Sequence, residues 1–268
     1  MSSYEDITVV AIHGNGGILK MVPSVERTAR GMPGCRSLLI TDTLVDTRHP
    51  QKRLAQKIDF LGYSEFVLFC LHHFIETDYA LIVQADGWAL NQANWDDKWF
   101  EYDYIGGLTH GALAEGTFFP WYKWVGKRDP LVVQNGGFSL RSKRLLEAPS
   151  RYGIVRHIKG DFALNNEDIQ LCCYMRPALE SVGMVFAPDE EAKRFALPDY
   201  LDPTIHGNLV LEKVYGHHSA LRRLASENTV LWGIPDREVY GYDKILRLFE
   251  GYGYAISRTS LEELVKSR

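Results

Sequence analysis

Only four cysteines occur in the 268 residues, and none is spaced as the Cys-x-x-Cys of a metal or redox motif. Cys172 and Cys173 are chain neighbours, which excludes the stapled framework of a small secreted scaffold. Core thiols in a reducing cytoplasm are the expectation. No charge sign dominates, since 30 Lys and Arg against 34 Asp and Glu leave a net charge of −4. Such a balance supplies no global field for nucleic acid or an anionic membrane. Long apolar runs are missing too. The longest, "EFVLFCLHHFIE", is interrupted by two histidines and falls short of the ~20 residues of a membrane span. The opening "MSSYEDITVV" lacks the basic and apolar regions of a secretory leader. Internal repeats, low-complexity runs and linker-like stretches are also absent. These absences leave a cytoplasmic protein with no nucleic-acid partner and no membrane span as the expectation.

What is present is a hydrophobic fraction of 46% with 24% charged residues, enough for a sizeable core. "DITVVAIHG" reads as a buried strand running into the glycine-rich "GNGG", followed by a helix over roughly Leu19 to Ala29. "RSLLITD" gives a second strand, and "SEFVLFCLHHFIETD" a helix with Ser64 as its N-cap. Leu108 to Pro130 has no period and is rich in aromatics, so it reads as an ordered functional loop. "LVVQNGGFSLRS" reads as a strand broken at Gly136-Gly137. A helix is predicted over Asn165–Gly183, bent or ended by Pro177, and "MVFAP" as a last core strand. Alternating strands and helices make the class α/β. One domain over 1–268 is expected, with a helical extension from about 222.

Four places invite chemistry. "LIVQADG" ends a strand on Asp86 and Gly87, where open α/β sheets gather ligands, although an Asp-Gly turn gives the same pattern. Gly136 and Gly137 inside a strand mark either a bulge or the close approach of a ligand. Glu167 and Asp168 sit where a helix begins. They complement its dipole, or one of them faces a cleft and takes a proton from a hydroxyl. The dipole would hold such a carboxylate ionised. His217 and His218 follow a glycine, and one of them could join Asp86 on a divalent ion. Mixed oxygen and imidazole ligation suits Mn²⁺ better than Mg²⁺. Arg141, Lys143 and Arg144 could help to offset a ligand's negative charge, but each reads first as solvated surface.

"QADGWALN", "YDYIGG", "VQNGGFSLRS", "NEDIQLC" and "YGHHSAL", in that order, resemble the motifs of the GT-A-like family catalogued as domain of unknown function 5672. The resemblance runs from about Tyr79 to Leu221. It implies a GT-A-like (Rossmann-like) mixed, mainly parallel sheet flanked by helices, and a glycosyltransferase activity. The partners implied are a nucleotide-diphosphate sugar donor and a saccharide or other hydroxyl acceptor. Where such enzymes carry Asp-x-Asp, this chain has Gln84-Ala85-Asp86. By resemblance Asp86 and His218 would hold the metal, Gln84 the ribose, and Gly87, Gly136 and Gly137 the rest of the donor. Asp168 would be the base of an inverting transfer, with Glu167 orienting the acceptor. Trp121 and Trp124, from the aromatic loop, would stack on the acceptor. The missing first acid keeps a catalytically inactive sugar-nucleotide or glycan-binding module open. A nucleotidyltransferase is a further alternative, although it would want more acids around its metal.

Overall fold

The structure is a computed structural model that describes residues 4–14, 16–109, 111–114, 117–120, 133–158, 162–199, 201–235 and 239–266. In chain order the first strands are β1 (Ile7–His13), β2 (Arg36–Thr41), β3 (Gln51–Arg53), β4 (Tyr79–Ile82) and β5 (Gly87–Ala89). They are followed by β6 (Tyr104–Thr109), β7 (Gly111–Ala114), β8 (Thr117–Pro120) and β9 (Val133–Ser142). The central sheet has the order β3-β2-β1-β4-β9-β6. β3, β2, β1 and β4 run parallel, and β9 is antiparallel to both of its neighbours. This is the mixed, mainly parallel α/β sheet that the sequence leads one to expect.

Six consecutive residues of β1 are buried because both faces of the sheet are covered. With a period of two, Val9 and Ala11 enter one apolar cluster while Val10 and Ile12 enter another. Helix α1 (Val22–Arg30) contributes Val25 to the first cluster, and α2 (Phe60–Phe69) contributes Phe66 and Val67 to the second. The N-cap of α2 is Asp59, whose carboxylate accepts from the Gly62 N–H at 2.8 Å. Ser64 is instead buried within the helix. The earlier start comes from a capping carboxylate outside the apolar pattern.

β9 is continuous as a backbone, but its pairing to β6 jumps: Gly106 faces Ser139 while Leu108 faces Gln134. The extra β9 residues include Gly136 and Gly137, so the expected break is a bulge in the pairing. Part of the expected irregular loop is a hairpin of β7 and β8. Trp121 and Trp124 lie outside the described residues.

Helix α3 (Lys143–Tyr152) follows β9 directly, capped by Ser142. The helix expected over 165–183 is segmented into α4 (Glu167–Ile169), a π-helical turn (Gln170–Tyr174) and α5 (Arg176–Ser181). Pro177 sits in the first turn of α5, where its missing N–H costs nothing, so it starts a helix and does not end one. "MVFAP" forms a single bridge, Phe186 to Tyr104, and no strand.

The remaining elements are α6 (Asp189–Phe195), β10 (Ala196–Leu197), α7 (Pro203–His206) and β11 (Gly216–His218). After them come β12 (Arg222–Leu224), β13 (Thr229–Ile234), α8 (Tyr242–Gly251), β14 (Ala255–Ser260) and α9 (Leu261–Lys266). β10, β11 and β5 form a small sheet that brings His218 opposite Gly87. The expected helical extension from about 222 is half strand, because β12, β13 and β14 make a third sheet. Trp88, Trp232 and Phe249 pack in one buried cluster beneath these two smaller sheets. No helix among the described residues is long and apolar enough to cross a membrane.

Candidate active site

A cleft of about 640 Å³ opens beside the carboxyl ends of β1 and β4. Its lining includes His13 and Lys20, Ile58 to Phe60 with Tyr63 and Ser64, the Gln84–Asp86 turn, Asn166 to Ile169, and the segment around His218 and Arg222. Two polar groupings face each other across it.

The first is built on a tight turn. Gln84 and Gly87 exchange backbone hydrogen bonds at 3.1 and 3.0 Å, so Ala85 and Asp86 form the turn itself. Ser219 N–H donates to the Asp86 carbonyl at 2.8 Å, which ties the turn to β11. The result places His218 Nε2 3.3 Å from Asp86 Oδ1 and 3.2 Å from Gln84 Oε1. Burial alone would lower the His218 pKa, but Asp86, with Asp199 and Asp168 further off, outweighs it and raises the value. Gln84 Nε2 in turn donates to the Tyr63 hydroxyl at 3.1 Å.

The second grouping lies where α4 meets the bulge of β9. The Gly136 N–H donates to Asp168 Oδ2 at 3.0 Å, and Asp168 Oδ1 accepts from the Ile169 N–H at 2.8 Å. Glu167 is buried and its Oε1 accepts from Arg141 Nη2 at 2.8 Å. Arg141 is fully buried, its guanidinium 5.1 Å from the centre of the Tyr104 ring, and its Nε donates to Ser139 Oγ at 3.0 Å. Burial first, and the neighbouring Glu167 charge second, push the Asp168 pKa up to about 6. A three-residue helix offers little macrodipole, and desolvation wins over the expectation that the helix start holds Asp168 fully ionised.

The glycines serve these side chains directly. A Cβ on Gly136 would lie 2.1 Å from Glu167 Oε1 and 3.1 Å from Asp168 Cβ. One on Gly137 would lie 2.2 Å from His218 Nε2 and 2.6 Å from Gln84 Oε1. The two glycines therefore let both groupings approach the same strand from opposite sides. The sequence suggests a ligand as the reason for their small size, and the structure shows that the site's own side chains already require it.

Gln84, Asp86, Gly137, Glu167, Asp168 and His218 thus line one cleft. His217 points the other way, buried edge-on against Trp88 with ring centroids 3.9 Å apart. Its pKa falls well below the ordinary histidine value, through burial and then the Arg222 and His218 charges. Arg141 is not solvated surface, since it is fully buried and pairs with Glu167. Arg144 is exposed as expected, although it donates to both Asp103 carboxylate oxygens. Tyr63 is a participant that the sequence gives no reason to choose, and the pairing of Arg141 with Glu167 is likewise not legible there. Helical periodicity hides Tyr63 in an apolar run, and strand alternation cannot reveal that Arg141 faces inward.

The chemistry of the first grouping fits a divalent cation in part. Asp86 Oδ1, His218 Nε2 and Gln84 Oε1 converge, one oxygen anion, one imidazole and one amide oxygen. Among the described residues no group of three His, Cys, Asp or Glu side chains is gathered to hold a metal. A cation bound here would draw its remaining ligands from a substrate, as diphosphate oxygens readily provide.

Solved structures similar to this chain include two of one protein. One is the galactosyltransferase LgtC in complex with donor and acceptor sugar analogs, at 13% identity and a TM-score of 0.46. The other is an active-site mutant of LgtC, at 14% identity and a TM-score of 0.45. Each alignment covers 91% of this chain and 95% of the other. No curated protein matches the sequence. The family model described as "Protein of unknown function (DUF5672)" matches residues 56–208. That span holds Tyr63, the Gln84–Asp86 turn, the β9 glycines and the Glu167-Asp168 pair, and ends before His218. With more than half of its length matched, the chain belongs to the DUF5672 family.

Proposed function

We propose that the protein is a GT-A-like glycosyltransferase, moving a sugar from a nucleoside-diphosphate sugar to the hydroxyl of a saccharide or similar acceptor. The observation that carries the reading is Asp168. It is half-buried in the cleft wall, both oxygens are aligned by backbone N–H groups, and its pKa lies near 6. A base poised there is ionised at neutral pH yet holds a proton better than an ordinary aspartate.

Asp168 takes the proton of the acceptor hydroxyl as that oxygen attacks the anomeric carbon. The bond from that carbon to the diphosphate breaks, and the nucleoside diphosphate leaves with the bonding electrons. Attack opposite the departing diphosphate, with one base and no covalent intermediate, inverts the anomeric configuration. Glu167 is committed to Arg141, so its part is to hold the Asp168 environment and not to accept the proton. Asp86 and His218 would hold a divalent ion, Mn²⁺ before Mg²⁺, and that ion would offset charge growing on the leaving diphosphate.

The test is a panel of nucleotide sugars with and without Mn²⁺, read by thermal shift and by mass spectrometry of products with saccharide acceptors. A bound donor at 100 times its Kd stabilises by roughly 2.7 kcal/mol. If no nucleotide sugar stabilises the protein, the reading falls. Donor binding that is indifferent to chelator would remove the metal, and a product of retained configuration would remove the single-base inversion.

A further inference from the structure

We infer that Tyr63 is a sugar-recognising residue, whose phenolic O–H is presented to a hydroxyl of the transferred sugar. The inference rests on the proposed donor site, and it follows from how the Gln84 amide is used at both of its ends.

Gln84 Oε1 lies 3.2 Å from His218 Nε2, and the same nitrogen lies 3.3 Å from Asp86 Oδ1. If Nε2 carries a proton, it donates toward these two oxygens. If it instead coordinates a cation, an amide oxygen beside it is a suitable further ligand while an amide NH₂ is not. A bare lone pair on Nε2 would face the Asp86 carboxylate at 3.3 Å without a proton or cation between them, so the oxygen of Gln84 faces His218 and its NH₂ faces Tyr63. The phenolic oxygen therefore accepts from Gln84 Nε2, at 3.1 Å. A phenol has one proton to give, and that proton is left to point elsewhere. Tyr63 is half-buried and lines the cleft, which offers the opening for it. Burial, and then the nearby Glu167 charge, raise its pKa far above the ordinary tyrosine value, so the proton stays on the oxygen.

Location supplies the class of partner. Tyr63 touches Gln84 of the diphosphate-side grouping and feels the Glu167 and Asp168 charges of the base-side grouping. In a transfer with the leaving diphosphate at one grouping and the attacking hydroxyl at the other, the group between them is the sugar being moved. A neutral phenolic donor suits a sugar oxygen and adds no charge to the anomeric centre.

The experiment compares wild type and Tyr63→Phe by calorimetric titration with UDP and GDP, and with UDP-glucose, UDP-galactose and GDP-mannose. For the nucleotide sugar that binds wild type, the variant should bind about 3- to 10-fold more weakly, the worth of one net hydrogen bond. Binding of the matching nucleoside diphosphate should change by less than about 2-fold. Equal loss of both ligands would show that Tyr63 merely positions Gln84, and no loss of either would remove it from the site; each result overturns the inference. Deoxy-sugar analogues of the same donor, titrated on wild type, keep the test independent of whether the variant folds. One analogue should lose the same factor, and a series in which none does overturns the inference. Wild type that binds no nucleotide sugar defeats the functional reading itself. Binding that is strong but blind to Tyr63 defeats only this inference.

Discussion

The two walls of the cleft use similar groups under different solvation. On the α4 wall the Arg141 and Glu167 side chains are 0% and 7% exposed, and their 2.8 Å pair is closed off from water. On the β5 wall His218 and Asp86 are 17% and 19% exposed and stand 3.3 Å apart. A charge pair without water costs much to separate, so the first wall is fixed. The second pair can exchange its partner for water, a cation or a diphosphate oxygen without leaving a stranded charge. On the proposed function, the difference separates scaffold from binding surface: the rigid wall would position Asp168, and the wetter wall would take up and release the charged ligand.

The largest effect expected from breaking that contrast is on the rate. Asp168→Asn keeps the shape but cannot take the proton, so transfer should fall by about 10²- to 10⁴-fold in single-turnover assays while donor affinity holds. Should Glu167→Gln be the dead variant instead, the roles of the two acids are reversed. Next comes stability. Arg141→Met strands a buried carboxylate and should cost about 3–5 kcal/mol in urea unfolding. Asp86→Asn, on the wetter wall, should cost less than about 1 kcal/mol yet lose donor binding that depends on Mn²⁺. Comparable stability losses in the two variants would erase the distinction between the walls. Gly137→Ala drives a methyl into His218 and should cost about 1–3 kcal/mol by overcrowding.

The smallest effect is graded with pH. The folded-state pKa of Asp168, about 6, lies above its ordinary 3.8, so the folded chain holds this proton more tightly than the unfolded one. Its contribution to stability is complete below about pH 4 and is lost as pH rises through about 6. Activity runs the opposite way, because the base must be ionised: the transfer rate should fall as pH drops through about 6. A rate profile flat from pH 5 to 7, ~1 unit to either side of that value, would remove Asp168 as the proton acceptor.

Particular residues show what could be read from the chain alone. The continuous apolar run of β1 announces a strand buried on two faces, and Asp86 after "LIVQA" announces a strand-end carboxylate. Both signals are local, since they depend on residues adjacent in the chain. The residues alone leave Glu167 and Asp168 as equal candidates, the resemblance favours Asp168, and neither gives a sign that burial would reverse the expected effect on its pKa. Arg141 was legible as a charge and illegible as a partner. Its place under Tyr104, beside Glu167, requires β6, β9 and α4 to have met.

What the sequence by itself determined is the α/β class and the strands β1, β2, β4 and β9, because periodicity and turn chemistry act over a few residues. Tertiary structure alone decided that the tail after 222 adds a sheet, that the β9 glycines make room for two sets of side chains, and that Tyr63 reaches Gln84. Those outcomes depend on contacts between distant segments, such as the 21 residues separating Tyr63 from Gln84 and the 134 separating Gln84 from His218. Desolvation and hydrogen-bond direction are properties of the assembled site, and no local pattern encodes them.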